Sequence, residues 1–267
     1  MSSLAIGAIT FACMLGGAIL GAVLRRLLPD RQLHPDARDV VKLAAGLIAT
    51  MAALVLGLMV SSAKNTYDSV NEGLMQNAAN LAYFDRILAQ YGPETKDLRD
   101  KLRNNVAAKI ERIWPTSKGD KARVSEEAAS QEDELVGDML RKLTPQDESQ
   151  RILKGVALQV YGDSIKLRWS LIHQLQASIP AVFMIVLVFW FTVLFAVFAL
   201  LSPGGMTVNV VMVVCALSVT GGIVLTLDMN RPFKGFVTVS SAPMENALKY
   251  LGRIGRASCR ERVYVLV

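Results

Sequence analysis

The sequence predicts an all-α integral membrane fold: four transmembrane helices in two hairpins, with a long helical hydrophilic insert between helices 2 and 3. Two observations carry that expectation. Residues 4–24, 43–63, 179–201 and 206–227 are apolar runs without a charged side chain, and each is long enough to cross a hydrocarbon core of about 30 Å as a helix, which takes about 20 residues. Between the two pairs, residues 64–176 hold 17 of the 23 Asp and Glu side chains, so this stretch belongs outside the bilayer. The expected layout is a first hairpin at 1–63, an insert at 64–178, a second hairpin at 179–227 and a juxtamembrane segment at 228–253.

The first apolar run is read as a retained helix. Its leading MSS lacks a basic n-region, no A-x-A site follows, and Arg25 and Arg26 come after the run, whereas a cleaved signal peptide has the opposite arrangement. In the hairpin loop, Pro29 and Pro35 forbid one continuous helix, and Asp36 suits the N-cap of the second. That helix meets no stop signal at Ala63. An apolar stripe continues at Tyr67, Val70, Leu74, Ala78, Leu81, Phe84, Leu88 and Tyr91, in steps of three and four, until Gly92-Pro93. Residues 94–114 repeat the pattern through Leu98, Leu102, Val106 and Ile110, with Pro115 as terminator. An exposed loop at 116–123 and a weaker acidic helix at 124–143 follow. Thr144 and Pro145 read as N-cap and first position of a helix leading toward the third span. Only SPGG separates spans three and four, which predicts a tight antiparallel hairpin. Residues 233–240 have the β-branched and aromatic character of a short extended piece, and Pro243 opens a last amphipathic helix. Residues 254–263 (IGRASCRERV) are similar to one reading frame of a sequencing adapter, so 254–267 are expected to be a sequencing-adapter artefact.

Several function classes fall away. A formal charge of +6 suggests nucleic acid, yet residues 64–176 hold 17 basic against 17 acidic side chains and offer no groove for a phosphate backbone. The excess lies in the first hairpin loop and after the last span, which makes the lipid bilayer the partner. Cys13 and Cys215 sit in spans, and His34 and His173 are the only histidines. Neither a disulfide framework nor a metal centre or other cofactor is expected. No G-x-S-x-G, H-E-x-x-H, Walker A or G-x-G-x-x-G pattern occurs, so the sequence predicts a protein that is not an enzyme.

The remaining signals are in the spans. Ala45, Ala49, Ala53, Gly57 and Ser61 recur every fourth residue, and Gly17 and Gly21 have G-x-x-x-G spacing. Small faces of this kind let helices approach closely in lipid. Gly17, Gly21, Ala45 and Ala49 are therefore assigned to helix packing, and Gly46, Thr50, Ala53 and Gly57 are the candidates for lining a narrow pore. The aromatics of span three, Phe183, Phe189, Trp190, Phe191, Phe195 and Phe198, are spread round the helix and face lipid or neighbours. Asp228 falls at the end of span four, where water reaches it, and reads as a capping or interfacial residue. With no ionisable group inside a span, passive conduction fits better than proton coupling. Lys and Arg nearly balance across the two sides, so charge alone leaves the orientation open.

Taken together, RDVVKLAAGLIATMAALVLGLMVSSAK, YGPE, IWP, FWFTVLFAVFALLSP and LDMNRPFKGFVTVSSAPMENAL resemble a bacterial bestrophin-like family, and more distantly the bestrophin anion channels. The resemblance covers the chain to about Arg253. It implies a homo-oligomer, pentameric if truly bestrophin-like, in a bacterial inner membrane, with insert and termini cytoplasmic, helix 2 lining the pore and small anions as permeant partners. Asn230, Pro232, Phe233 and Gly235 are similar to the bestrophin turn after the last span, with Arg231 and Lys234 inserted. The bulky constriction residues of bestrophins are replaced here by Thr50, Ala53, Leu54 and Gly57, and their acidic calcium cluster is missing after Gly235. The alternative expectation is a non-conducting membrane sensor or scaffold whose insert binds a partner.

Overall fold

The computed structural model describes residues 2–27, 35–115, 126–176, 181–202, 205–233, 235 and 237–252. Among them the regular structure is entirely helical: α1 (Ser3–Leu27), α2 (Pro35–Tyr91), α3 (Lys96–Ile113), α4 (Glu126–Lys142), α5 (Glu148–Gln176), α6 (Ala181–Leu201), α7 (Met206–Met229) and α8 (Ala242–Tyr250), with a 3₁₀ turn at Pro93–Thr95. Four of these helices, α1, α2, α6 and α7, are long and apolar enough to cross a membrane. Loop residues such as Pro29 and His34, and the stretch 254–267, lie outside the described residues.

The chain divides into two compact units, residues 1–67 with 177–237, and residues 68–176 with 238–267. In the first, α1 is the central packing element, lying along both α6 and α7. Its buried side is Gly7, Thr10, Met14, Gly17 and Gly21, a run of three- and four-residue steps. A Cβ on Gly21 would fall 2.0 Å from the Ala196 carbonyl oxygen, one on Gly17 2.4 Å from that of Thr192, and one on Gly7 2.4 Å from the Val224 side chain. Glycine at these positions lets α1 pack against the backbone of α6 and the side chains of α7, where dispersion is the main attraction available in lipid. Met14, Phe195, Ala216 and Ile223 close the core of this unit. The expected pairing of spans three and four is thus mediated by α1, which takes α6 and α7 as its neighbours. Large side chains around the bundle, among them Ile19, Leu54, Phe189 and Leu217, remain exposed, as a lipid-facing surface requires.

The second unit is held by α2 residues beyond the apolar run together with α3, α4, α5 and α8. Val70, Phe84, Leu88, Leu98, Leu102, Val106, Leu140 and Leu251 are all buried, each worth roughly 1.5–3 kcal/mol when fully enclosed. α2 stops where the sequence places the break: Gly92 has φ 142°, a conformation open to glycine. The buried Thr95 hydroxyl donates to the Leu88 carbonyl oxygen at 2.5 Å, satisfying an acceptor that the helix end leaves free, and the Thr95 N–H donates to the Gly92 carbonyl at 3.3 Å.

Two expected caps are moved. α2 includes Pro35, which puts Asp36 in its first turn instead of at its N-cap. α5 starts at Glu148, and its N-cap is Asp147 rather than Thr144, because the Asp147 carboxylate accepts the Gln150 backbone N–H at 2.7 Å. Gln150 in turn donates from Nε2 to the Tyr91 carbonyl at 3.0 Å, tying the start of α5 to the end of α2. Residues 238–240 form no strand; the Val239 carbonyl instead accepts the Trp114 indole N–H at 2.9 Å.

Candidate functional site

An α-helix turns about 100° per residue, which puts Gly46, Thr50, Ala53 and Gly57 within about 60° of one another around α2. All four are exposed. A Cβ added to Gly46 or Gly57 would meet nothing within 4 Å among the described residues, whose side chains leave this face uncovered. The other side of α2 is the packing side. Ala52 and Met59 bury against Leu187 of α6, and Ala45 and Ala63 are also buried.

The four-residue stripe of the sequence therefore does not stay on one face. Each step of four advances about 40° beyond a full turn, so Ala45 is buried and Ala49 half-buried, while Ala53, Gly57 and Ser61 have rotated to the outside. Thr50 donates its hydroxyl to the Leu47 carbonyl at 2.8 Å, which leaves the oxygen lone pairs, and not the proton, facing outward. Lys42 and Lys64 continue the same face at its two ends, accompanied by Asp39 and Asp68. Lys42 and Asp39 are 2.9 Å apart and exposed.

Gly17 and Gly21 are packing residues against α6, in a stripe whose third glycine, Gly7, the sequence reading passed over. The signal was present in the continuous Gly7, Thr10, Met14, Gly17, Gly21 periodicity. The chain turns after α7 at Asn230 and Arg231. The Asn230 N–H donates to the Thr226 carbonyl at 3.2 Å and the Arg231 N–H to that of Asp228 at 2.9 Å, after which Pro232 is buried and Phe233 half-buried.

Asp228 corrects the sequence reading. Expected at a wet boundary, it is 1% exposed. Its carboxylate accepts a hydrogen bond from the Ser3 hydroxyl at the start of α1. Ser2 caps that helix, accepting the Ala5 N–H at 3.2 Å. The positive end of the α1 dipole is thus next to the buried carboxylate, which offsets part of its desolvation cost. Gly235, at φ 131°, lies against the same carboxylate: a Cβ there would be 2.7 Å from Asp228 Cγ and from both oxygens. The four-span unit consequently does contain a buried ionisable side chain. No group of three or more metal-ligating side chains comes together among the described residues.

Four apolar helices, a small-residue packing face on α1 and an uncovered small-residue face on α2 define an all-α, multi-pass membrane protein. Residues 12–244 match the family model of the bestrophin-like domain. The chain belongs to the bestrophin-like family. No curated protein matches it.

Proposed function

We propose that the protein is a passive channel for small anions in a bacterial inner membrane. In this reading it assembles as a homo-oligomer, with five-fold symmetry, and the Gly46, Thr50, Ala53 and Gly57 faces of the α2 helices surround the pore. The insert and both termini lie in the cytoplasm. The observation that carries this is the division of α2 into a side buried on α6 and an opposite small-residue side that the other described residues leave bare. Copies arranged about an axis would bring those bare faces together, with little side-chain bulk between the helix backbone and the lumen. Each end of the face carries an Asp beside its Lys, so charge does not choose the ion; the anion assignment comes from the family kinship.

The test is ion flux into liposomes holding the purified full-length chain. Chloride entry that Thr50→Trp or Ala53→Trp abolishes, in oligomers that remain intact on gel filtration, is the expected result. Liposomes that stay tight around an intact wild-type oligomer would defeat the channel reading and leave a membrane sensor or scaffold.

A further inference from the structure

The last three turns of α5 carry a surface that the channel reading does not use. Asp163, Lys166, Trp169, Ser170 and His173 are exposed and, at about 100° per residue, fall within about 120° on one side of the helix. The opposite side is the packed one: the Leu171 side chain fills the space above Gly73, where a Cβ would meet it at 2.5 Å. Trp169 is 41% exposed, an unusual position for the largest apolar side chain on a helix bordered by water. Its ring is 6.3 Å from that of His173, and the Arg168 guanidinium carbon is 5.9 Å from its centroid.

Asp163 pairs with Lys166 at 3.4 Å on the exposed face. Beyond Asp163 the sequence contains no acidic residue before Asp228, whereas Lys166 and Arg168 fall within the last eleven residues of α5. The helix also ends near a span. Along the chain, five peptide steps separate Gln176 from Ala181. A Trp with an apolar body and a polar edge, flanked by cations close to a span, matches the interfacial zone of a bilayer with anionic headgroups.

We infer that the Lys166, Trp169, Ser170 and His173 face of α5 docks on the anionic phospholipid headgroups next to span α6. Trp169 enters the headgroup layer while Lys166 and His173 meet phosphate. The inference is independent of whether α2 conducts.

The experiment places a spin label at Ser170→Cys in full-length protein whose three cysteines are replaced (Cys13→Ala, Cys215→Ala, Cys259→Ser). The protein is reconstituted into vesicles of phosphatidylcholine alone or mixed with phosphatidylglycerol. Oxygen should relax the label more, and a water-soluble nickel chelate less, than a label at Gln159→Cys, three turns back toward the α5 start. Phosphatidylglycerol should be enriched around the protein, and Lys166→Gln should reduce that enrichment about five-fold, the effect of one basic side chain at an anionic surface. Equal nickel accessibility at both positions means a solvated face and overturns the inference. Protection from both relaxants with spin–spin broadening means that a second copy occupies the face, and also overturns it. So does protection that is indifferent to phosphatidylglycerol.

Discussion

Asp85 of α2 and Arg99 of α3 form a two-pronged ion pair across the Gly92 turn, with Oδ1 to Nε at 2.7 Å and Oδ2 to Nη2 at 3.0 Å. The Asp85 side chain is 1% exposed and that of Arg99 15%. The carboxylate also accepts the Gly252 backbone N–H at 3.2 Å, so a single buried acid joins α2, α3 and the end of α8. The Arg99 pKa is raised, first by its hydrogen bond to Asp85. Removing one partner of a buried pair typically costs 3–5 kcal/mol, because the other charge is left without compensation. Since Arg99 keeps some contact with water, Asp85→Asn should cost about 3 kcal/mol. It should be read as a lowered unfolding midpoint of the solubilised protein, together with faster proteolysis after α8. A midpoint unchanged from wild type would show that the pair contributes nothing net.

The α1 contact with α6 gives a sharper contrast. Gly16 and Gly21 are on the same helix, but a Cβ on Gly16 meets nothing within 4 Å and one on Gly21 meets the Ala196 carbonyl oxygen at 2.0 Å. Backbone cannot rotate away, so Gly21→Ala must push the helices apart. Overpacking of this type costs about 1–3 kcal/mol. Gly16→Ala should be neutral or slightly stabilising, since alanine is the better helix former. Thermal unfolding in detergent separates the two; similar midpoints for both variants would refute the close packing.

These two sites differ in how far the sequence revealed them. Runs without charge predict spans because nothing but a bilayer tolerates them at that length, and the stripe from Val70 to Tyr91 predicted the continuation of α2 because its members share one side of a 3.6-residue helix. Periodicity gives a face, however, and not its partner. Gly17 and Gly21 were recognisable as a packing surface, while the identity of α6 as the surface packed against was not. The burial of Asp85 and Asp228 was likewise illegible. Each carboxylate becomes tolerable inside only through groups brought from elsewhere: Arg99 and the Gly252 amide for one, Ser3 and the α1 N-terminus for the other.

Gly235 is tied to Asp228 by shape and by conformation. Its φ of 131° disfavours a side chain, and the Asp228 carboxylate occupies the place where a Cβ would go. Gly235→Ala should therefore destabilise the four-span unit by roughly 1–3 kcal/mol from backbone strain, with a steric part added. Asp228→Ala in the same chain should recover the steric part alone, so the double variant should be more stable than the sum of the two single losses predicts. Strict additivity in a double-mutant cycle on unfolding midpoints would mean that the two residues do not meet.

Tyr161 of α5 predicts an alkaline limit to stability. Burial is the main cause that holds its phenol above the usual value of 10.0, opposed in part by Arg141 and by a backbone hydrogen bond with Gly137. Its ring is 6.1 Å from that of Phe84, inside the second unit. Because the folded pKa exceeds the unfolded one, the unfolded chain releases this proton first as pH rises. The contribution is complete below pH about 10 and is lost as pH climbs from there through the folded value. Tyr161→Phe keeps the ring and removes the proton. Its unfolding midpoint should fall less than that of wild type between pH about 9 and 11, whereas near neutral pH the difference between the two should not change with pH. Parallel curves across the alkaline range would place the Tyr161 hydroxyl in water.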